Sequence, residues 1–478
     1  MADLLKPDLC ILGAGAPGIA LAIMARAHGA SVVLVDLGIE GDSIKTGAIP
    51  AAALAAAAAH AHGVRHATAF GMASGDPKPN FRAVHDHVQS VIAAIAPRDA
   101  AERLSGLGIE MIAAPAAFTD RRTVTAGEAT IRARRFVIAS GSSPIMPPLK
   151  NLADVPFFTT DTIFANTYKL SHLVVLGGGA TGLEFAQSYR RLGCEVTVIE
   201  AANALAEADP ELAEIALRNL RQEGVVIHER TQALEMVPRG QGVGLVIRHE
   251  DGSEATLDAS HVLLALGRTP NLGGLALDKA AIRFDARHPD RLLLRQRLLT
   301  SNRRVHVIGE AAGRPPSMQS ARHDARIVLE SALFHRWTKA TPSDVPRVVL
   351  TDPQLAQVGL TEPEARLRFK ADYTVVRASF AENDRAIASR RTYGTAKVIA
   401  DRRGTIQGAA IVGPEAGELI ALFGLALGKG LKLSDLADLV APHPSFAGIV
   451  ASLVEAWREQ TGPEPWRQRR LALVRRLP

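Results

Sequence analysis

Residues 8–36 read DLCILGAGAPGIALAIMARAHGASVVLVD. An apolar run ends in Gly13-Ala14-Gly15-Ala16-Pro17-Gly18, a helical pattern follows, and a second apolar run closes on Asp36, 23 positions after Gly13. The pattern predicts strand, glycine turn, helix, strand. Gly13 permits the tight turn, Gly15 lets the backbone approach a pyrophosphate, and Gly18 allows close helix–strand packing, while the helix N-terminus faces the phosphate charge. Asp36, at the end of the second strand, would accept hydrogen bonds from an adenosine ribose. A lone G-x-G-x-x-G is often only a turn. In strand–helix–strand order, closed by an acid at this offset, it predicts a bound dinucleotide.

The same unit recurs. Residues 171–200, SHLVVLGGGATGLEFAQSYRRLGCEVTVIE, repeat it with Gly177, Gly179 and Gly182, and Glu200 stands 23 positions after Gly177. Two such units predict two dinucleotides. Glu200 is followed by Ala201 and Ala202, with no basic residue to meet a 2′-phosphate, so NADH is expected there over NADPH.

A chain of 478 residues exceeds one hydrophobic core, and about two to four domains are expected. Hydrophobic content of 47% with 22% charged residues is ordinary for a soluble globular protein. The first apolar stretch is already the glycine-loop strand and carries no basic leader, so no signal peptide is expected. The alanine-rich run at 51–61 is too short to span a membrane. A cytoplasmic protein is expected. The net charge of +6 is widely spread except at the C-terminus, and implies no nucleic-acid partner. The two cysteines, Cys10 and Cys194, lie in or beside predicted buried strands. With no CxxC, CxxxxC or His/Cys cluster, no metal site is expected.

Between the units, residues 80–107 carry a helical period, and GEATIRARRFVIASGSSP reads as hairpin strands closing on a turn at Gly141. The second unit ends in HVLLALGRTPN. RRVHVIGEAAGR is a further buried strand meeting Gly309-Glu310, with a helix from about Ser320 to Phe334. From Pro346 the character changes. VPRVVLTD, YTVVRASF, YGTAKVIAD and TIQGAAIVG predict a mostly antiparallel sheet. GELIALFGLALGKG and SFAGIVASLVEAW predict helices.

Taken in order, GAGAPG, IASGSSP, GGGATGLE, ALGRTPN, VIGEAAG, LTDPQLAQVGLTEPEA, NDRA, IVGPEAGELI and APHPSF resemble the flavin-dependent pyridine nucleotide–disulfide oxidoreductases. The similar branch holds dihydrolipoamide dehydrogenase, glutathione reductase and mercuric reductase, and the resemblance spans essentially the whole chain. It implies an α/β architecture of two dinucleotide-binding Rossmann-like domains plus a C-terminal α+β dimerisation domain. Residues 1–150 and 266–340 would form a discontinuous FAD-binding domain, 151–265 an NADH-binding domain and 345–460 the dimerisation domain, leaving 461–478 as a basic tail. A homodimer would lend residues to the partner's active site. Gly13, Gly15, Gly18 and Asp36 would hold the FAD pyrophosphate and adenosine ribose, and Gly177, Gly179, Gly182 and Glu200 the NADH. Ser140, Gly141 and Gly267, from IASGSSP and ALGRTPN, join the cofactor-binding set. Gly309 and Glu310 would sit along the flavin's side chain, where the family normally has Asp; the extra methylene of Glu310 should place that contact differently.

The departures decide the chemistry. Thiol-active relatives read GG(T/D)CLNxGCxPSK after the first unit, whereas this chain reads EGDSIKTGAIPAAA. The cysteine positions fall on Ser43 and Ala48 and the lysine position on Ala52, so thiolate–disulfide exchange, which needs two sulfurs, has no groups to work with. Glu184 of GLE loses the lysine it would pair with, and is read as a raised-pKa carboxyl, a reoriented one or a solvated one. The family's HP(T/S)xxE survives as His443-Pro444-Ser445-Phe446-Ala447-Gly448, without the orienting acid. His443 is then either a proton donor with an unfixed tautomer or a retained packing residue. The function expected is an FAD-dependent NADH oxidoreductase without a dithiol relay, unloading onto a small-molecule electron acceptor such as a quinone or dye. The alternatives are a catalytically silent FAD- and NADH-binding homologue acting as a partner or regulatory protein, and a nicotinamide nucleotide transhydrogenase. The tail PWRQRRLALVRRLP carries Arg467, Arg469, Arg470, Arg475 and Arg476 with no acid, and Trp466, Leu473 or Val474, and Leu477 as an apolar stripe. It reads as a short helix at a membrane surface, giving peripheral membrane contact, or as a solvated or dimer-packed terminal helix.

Overall fold

The computed structural model describes residues 4–38, 43–240, 242–315, 317–336, 345–462 and 465–475. The side chains of residues 43, 44 and 465–467 lie outside that description, so the expectations for Ser43, Trp466, Arg467, Arg476 and Leu477 side chains do too. The chain divides into two compact units, one of Met1–Gly177, Ser188–Ala201 and Arg230–Thr341, the other of Gly178–Gln187, Ala202–Glu229 and Pro342–Pro478.

In the first unit, a parallel sheet runs in the order Val305–Val307, Arg135–Ile138, Leu9–Leu12, Val32–Asp36, Glu110–Ala113. Successive side chains of a strand face opposite ways, and both faces here are covered. Leu9, Ile11 and Leu34 pack on one side with Ile19, Leu21 and Ala25 of helix Ala16–Ala27 and Val328 of helix Met318–Ala332. Cys10, Leu12, Val33 and Val35 pack on the other with Phe118, Val124 and Phe136. Burial on both faces explains why these strands read as unbroken apolar runs.

A second parallel set runs Phe157–Thr159, His261–Leu264, His172–Leu176, Glu195–Ile199, with the antiparallel strands Gln232–Arg239, Gly242–Arg248 and Glu254–Ala259 in the same unit. These three antiparallel strands were not foreseen. The hairpin expected within GEATIRARRFVIASGSSP does not form, because no two strands of that stretch pair with each other. Ala129–Ile131 pairs antiparallel with Thr123–Ala126, but Arg135–Ile138 lies parallel inside the first sheet. Its run RFVI is apolar enough to be buried on both faces, which a two-stranded hairpin cannot offer.

The second unit contains an antiparallel sheet in the order Arg347–Val349, Gln354–Gly359, Ile406–Gly413, Thr395–Asp401, Tyr373–Ser379. Helices Ala416–Lys429 and Ile449–Thr461 cover it, burying Ile420, Phe423, Leu453 and Val454 against Phe380, Val398 and Ile411. Asp209 caps helix Pro210–Gln222 by accepting the Glu211 N–H at 3.2 Å, and Pro210 fills the first helical turn, where no N–H partner is needed. Helix Pro465–Val474 forms in the tail, with Leu471, Leu473 and Val474 exposed and Arg469 and Arg470 directly before them in sequence.

Candidate active site

Gly13 sits at φ +122°, and a Cβ there would run into the Ala139 carbonyl. A Cβ on Gly18 would strike the carbonyl of Gly13 itself. Gly15 is different: the place its Cβ would take meets only Pro17 Cδ, at 3.9 Å. Two glycines are therefore small because the chain packs on itself, and one leaves room in front of a helix N-terminus. That helix, Ala16–Ala27, has no side-chain cap, so its first N–H groups point out unsatisfied. Ser140, directly after Ala139, is 6% exposed and its Oγ lacks a hydrogen-bond partner. An open glycine, an uncapped helix start and a buried orphan hydroxyl fit a pyrophosphate-bearing cofactor. Asp36 lies exposed at the end of the neighbouring strand and accepts the Gly38 N–H at 3.0 Å.

Gly309 closes on this cradle from the far end of the unit, its missing Cβ 2.7 Å from Pro17 Cγ. Its N–H is held at 3.2 Å by Oδ2 of Asp324, a carboxylate 1% exposed, whose Oδ1 has no hydrogen-bond partner and is flanked by Arg314 Nε at 3.6 Å. Nothing in the sequence singled out Asp324. Glu310 faces a hydroxyl and a guanidinium. Its Oε2 accepts from Ser142 Oγ and lies 3.2 Å from Arg268 Nε. Arg268 also reaches Asp161 at 2.6 and 3.3 Å and the Ser142 carbonyl at 2.7 Å. Burial alone would lower Arg268, but the bonds and charges of Asp161 and Glu310 outweigh it and its pKa is raised. This knot lies where Ser142–Pro144 pairs antiparallel with Arg268–Pro270, next to Gly141 and Gly267. Sequence reasoning missed Arg268, although it is the one cation in ALGRTPN.

Gly177 repeats the Gly13 arrangement, at φ +113° with the Ala265 carbonyl where a Cβ would stand. In the same unit the backbone carbonyl of Glu200 accepts the Thr231 N–H at 2.9 Å. In the other unit, Gly182 is buried and a Cβ on Gly179 would meet nothing within 4 Å.

Ser43 begins the short helix Ser43–Thr46, and Ala48 and Ala52 lie one turn apart on helix Ala48–Arg65, both exposed. Methyl groups occupy positions where thiol-active relatives place a cysteine and a lysine. Cys10 and Cys194 are each fully buried, on different strands or their approaches, and burial pushes both thiols up, Cys194 to about 11. Thiols held protonated in a core are inert. Among the described residues no His/Cys/Asp/Glu group is arranged to hold a metal ion.

Glu184 accepts the Leu350 N–H at 2.7 Å. Loss of water around the carboxyl pushes its pKa up to about 7, and the Leu350 bond offsets only part of that. The residue stays half-buried, so close packing around the carboxyl rather than full enclosure produces the shift. His443 is 77% exposed, and its Nε2 lies 3.7 Å from Oδ2 of Asp384, which belongs to NDRA. That separation gives an electrostatic neighbour but no hydrogen bond to fix the ring. Gly448 faces Asn383 instead, whose Nδ2 would stand 3.2 Å from an added Cβ.

The family model described as pyridine nucleotide-disulphide oxidoreductase matches residues 7–325, and its dimerisation domain matches 345–453. The chain belongs to this family. A mercuric reductase of Streptomyces lividans is 30% identical over 449 residues, covering 92% of this chain and 94% of the relative. A dihydrolipoyl dehydrogenase of Thermus scotoductus is 32% identical over 466 residues, covering 95% and 98%. The crystal structure of LpdA from Mycobacterium tuberculosis superposes with a TM-score of 0.85 at 24% identity, over 94% of this chain and 99% of that one, a likeness of fold. The protein is thus a flavoprotein oxidoreductase, dependent on FAD and NAD(P)H, that lacks the family's redox-active cysteine pair. Its dimerisation domain supports a homodimer. No described helix is long and apolar enough to cross a membrane.

Proposed function

We propose that the protein passes electrons from NADH through its flavin to a small non-disulfide acceptor, a quinone or an equivalent dye. The observation that carries this reading is the Ala48–Ala52 face, with Cys10 and Cys194 sealed in cores elsewhere. Bound FAD supplies hydride acceptance from a reduced nicotinamide and delivery of the electrons onward. Gly13, Gly15 and Gly18 would admit its pyrophosphate, Asp36 its adenosine ribose, and Ser140, Gly141, Gly309 and Glu310 would line its remainder. Gly177, Gly179, Gly182 and Gly267 would hold NADH, with Glu200 repelling an added 2′-phosphate. In this reading residues 1–150 and 266–340 serve FAD, 151–265 serve NADH and 345–460 serve dimerisation. Glu184, poised near neutrality, is suited to hold or release a proton in the physiological range. His443, loosely oriented, contributes little acid–base catalysis. The basic tail would add peripheral membrane contact.

Anaerobic mixing with NADH, followed by a panel of acceptors, tests the proposal. Flavin bleaching and reoxidation by quinones or dyes with ping-pong kinetics is expected. Lipoamide, glutathione disulfide and mercuric ion should give no turnover above background, and no long-wavelength thiolate-to-flavin charge-transfer band should form. Specific disulfide reduction would refute the reading. Failure of every acceptor with both cofactors bound would favour the silent homologue, and reoxidation by a second nicotinamide nucleotide alone would favour a transhydrogenase.

A further inference from the structure

Arginines cluster at one place that the nucleotide sites do not use. Strands Arg135–Ile138 and Val305–Val307 are neighbours in the first parallel sheet, and arginines stand at both of their N-terminal ends. Arg135 donates to the carbonyl of Arg134 at 3.0 Å, and Arg304 donates to the same oxygen at 3.4 Å. Two guanidinium groups thus converge on one neutral acceptor. Among the described residues no carboxylate lies within ion-pairing distance of either. Burial, and then the facing Arg304 and Arg134 charges, lower the Arg135 guanidinium from its ordinary value. Like charges held this close are costly unless an anion joins them.

The surroundings extend the pair into a face. Arg134 meets Asp8 at 3.0 Å. Asn302 Nδ2 donates to the Arg121 carbonyl at 3.1 Å, drawing the 121–122 turn beside the 302–304 loop. Arg121, Arg122, Arg134 and Arg303 are exposed, and Asp8 and Asp120 are the acids interspersed. The contributing loops, TDRR, RARR and SNRR, contain no aromatic residue on which a base could stack. Dinucleotides bind at the carboxyl ends of parallel strands, where Gly13 lies, so a surface docked at the amino ends leaves that cradle accessible.

We propose that this arginine face adsorbs to an anionic phospholipid surface, the guanidinium pair of Arg135 and Arg304 receiving headgroup phosphates. The choice of lipid rests on the quinone reading of the function, since an enzyme whose oxidant dissolves in the bilayer gains from residing on it. Adsorption of this kind is electrostatic, falls with salt, and is worth about fivefold in partitioning per basic residue.

The test is co-sedimentation of the full-length, FAD-loaded protein with phosphatidylcholine vesicles with and without phosphatidylglycerol. Binding only to the anionic vesicles, reversed by salt, is expected. Replacing Arg121, Arg122 and Arg303 with serine together should weaken it about 100-fold, with flavin content and dye turnover unchanged. Arg304→Gln should weaken it separately, and a tail variant with Arg469, Arg470 and Arg475 changed to serine should keep most of it. Equal binding to neutral vesicles, indifference to the Arg121/Arg122/Arg303 changes, or loss through the tail variant alone would overturn the proposal. So would tighter binding to duplex DNA than to vesicles. Turnover with a water-soluble quinone, measured without vesicles, judges the oxidoreductase reading independently.

Discussion

Nε of Arg268 lies 3.2 Å from Oε2 of Glu310, while the same guanidinium grips both carboxylate oxygens of Asp161. One fork therefore ties the crossover strand Arg268–Pro270 to the acid of the VIGEAAG turn. Arg268→Met leaves two partly buried carboxylates without their cation, and should destabilise the protein by about 1–3 kcal/mol. Flavin retention should fall with it. Arg268→Lys keeps the charge but not the fork, and should be intermediate. Urea melts of the FAD-loaded protein and flavin content after gel filtration measure both effects; a fully stable, fully flavinated Met variant would show that the knot positions nothing.

Lys397 offers a second ionic test, in the other unit. Its Nζ contacts Asp209 at 2.8 and 2.9 Å, Glu211 at 2.7 Å and Glu362 at 2.8 Å, with the side chain 2% exposed. Lys397→Met would leave three facing carboxylates, with Arg377 and Arg366 the neighbouring cations, and should cost about 3–5 kcal/mol in denaturant unfolding. The Arg377 hydrogen bond, then Lys397, hold Glu211 down at about 2. Its folded pKa lies below the unfolded value, so this stabilisation is present above about pH 4.5 and is lost as pH falls toward 2. Arg377→Gln should flatten that acid limb of the stability profile; an unchanged limb would place acid sensitivity elsewhere.

Glu184 carries the opposite sign. Its folded pKa of about 7 exceeds the unfolded value near 4.5, so the native state prefers the protonated carboxyl. Stability should decline as pH rises between those values and level off above them. Glu184→Gln does not titrate and keeps an oxygen for the Leu350 N–H. It should match the parent protein at pH 4 and exceed it by about 1–3 kcal/mol at pH 8. Melts at the two pH values decide; a parent protein that gains stability across that interval would show the carboxyl ionised at its usual value.

In the proposed function, donor choice rests on Glu200. NADH should bleach the flavin faster than NADPH, and Glu200→Arg should narrow or invert the preference, because a guanidinium would meet the 2′-phosphate that a carboxylate repels. Stopped-flow comparison of the two donors is the measurement. A clear preference for NADPH in the unaltered protein would mean that another basic residue reads the phosphate.

His443→Ala should lower dye or quinone turnover by less than about tenfold, well under the usual reach of general acid–base catalysis. Asp384, 3.7 Å from Nε2, is too distant to fix the ring by a hydrogen bond. A hundredfold loss in steady-state turnover would show that the histidine becomes ordered during catalysis.

The sequence by itself determined the two glycine-turn units, the antiparallel C-terminal sheet and the absence of the dithiol. Each is written in contiguous residues: a glycine whose φ only glycine tolerates, an apolar run buried on both faces, an alanine where chemistry needs sulfur. Tertiary structure alone decided the rest. Arg268 meets Asp161 across 107 positions and Lys397 meets Asp209 across 188, and no local period encodes such pairings. Lys397 shows why. In TAKVIAD it is a charged residue in mid-strand, yet it is buried, because Asp209 and Glu211 at the start of one helix and Glu362 at the start of another replace water with three carboxylates. The Arg135–Arg304 pair, the Asp324 bond to Gly309 and the near-neutral Glu184 share this origin. A charge acquires its energy from what surrounds it in space, and the fold supplies those surroundings from residues far apart in the chain.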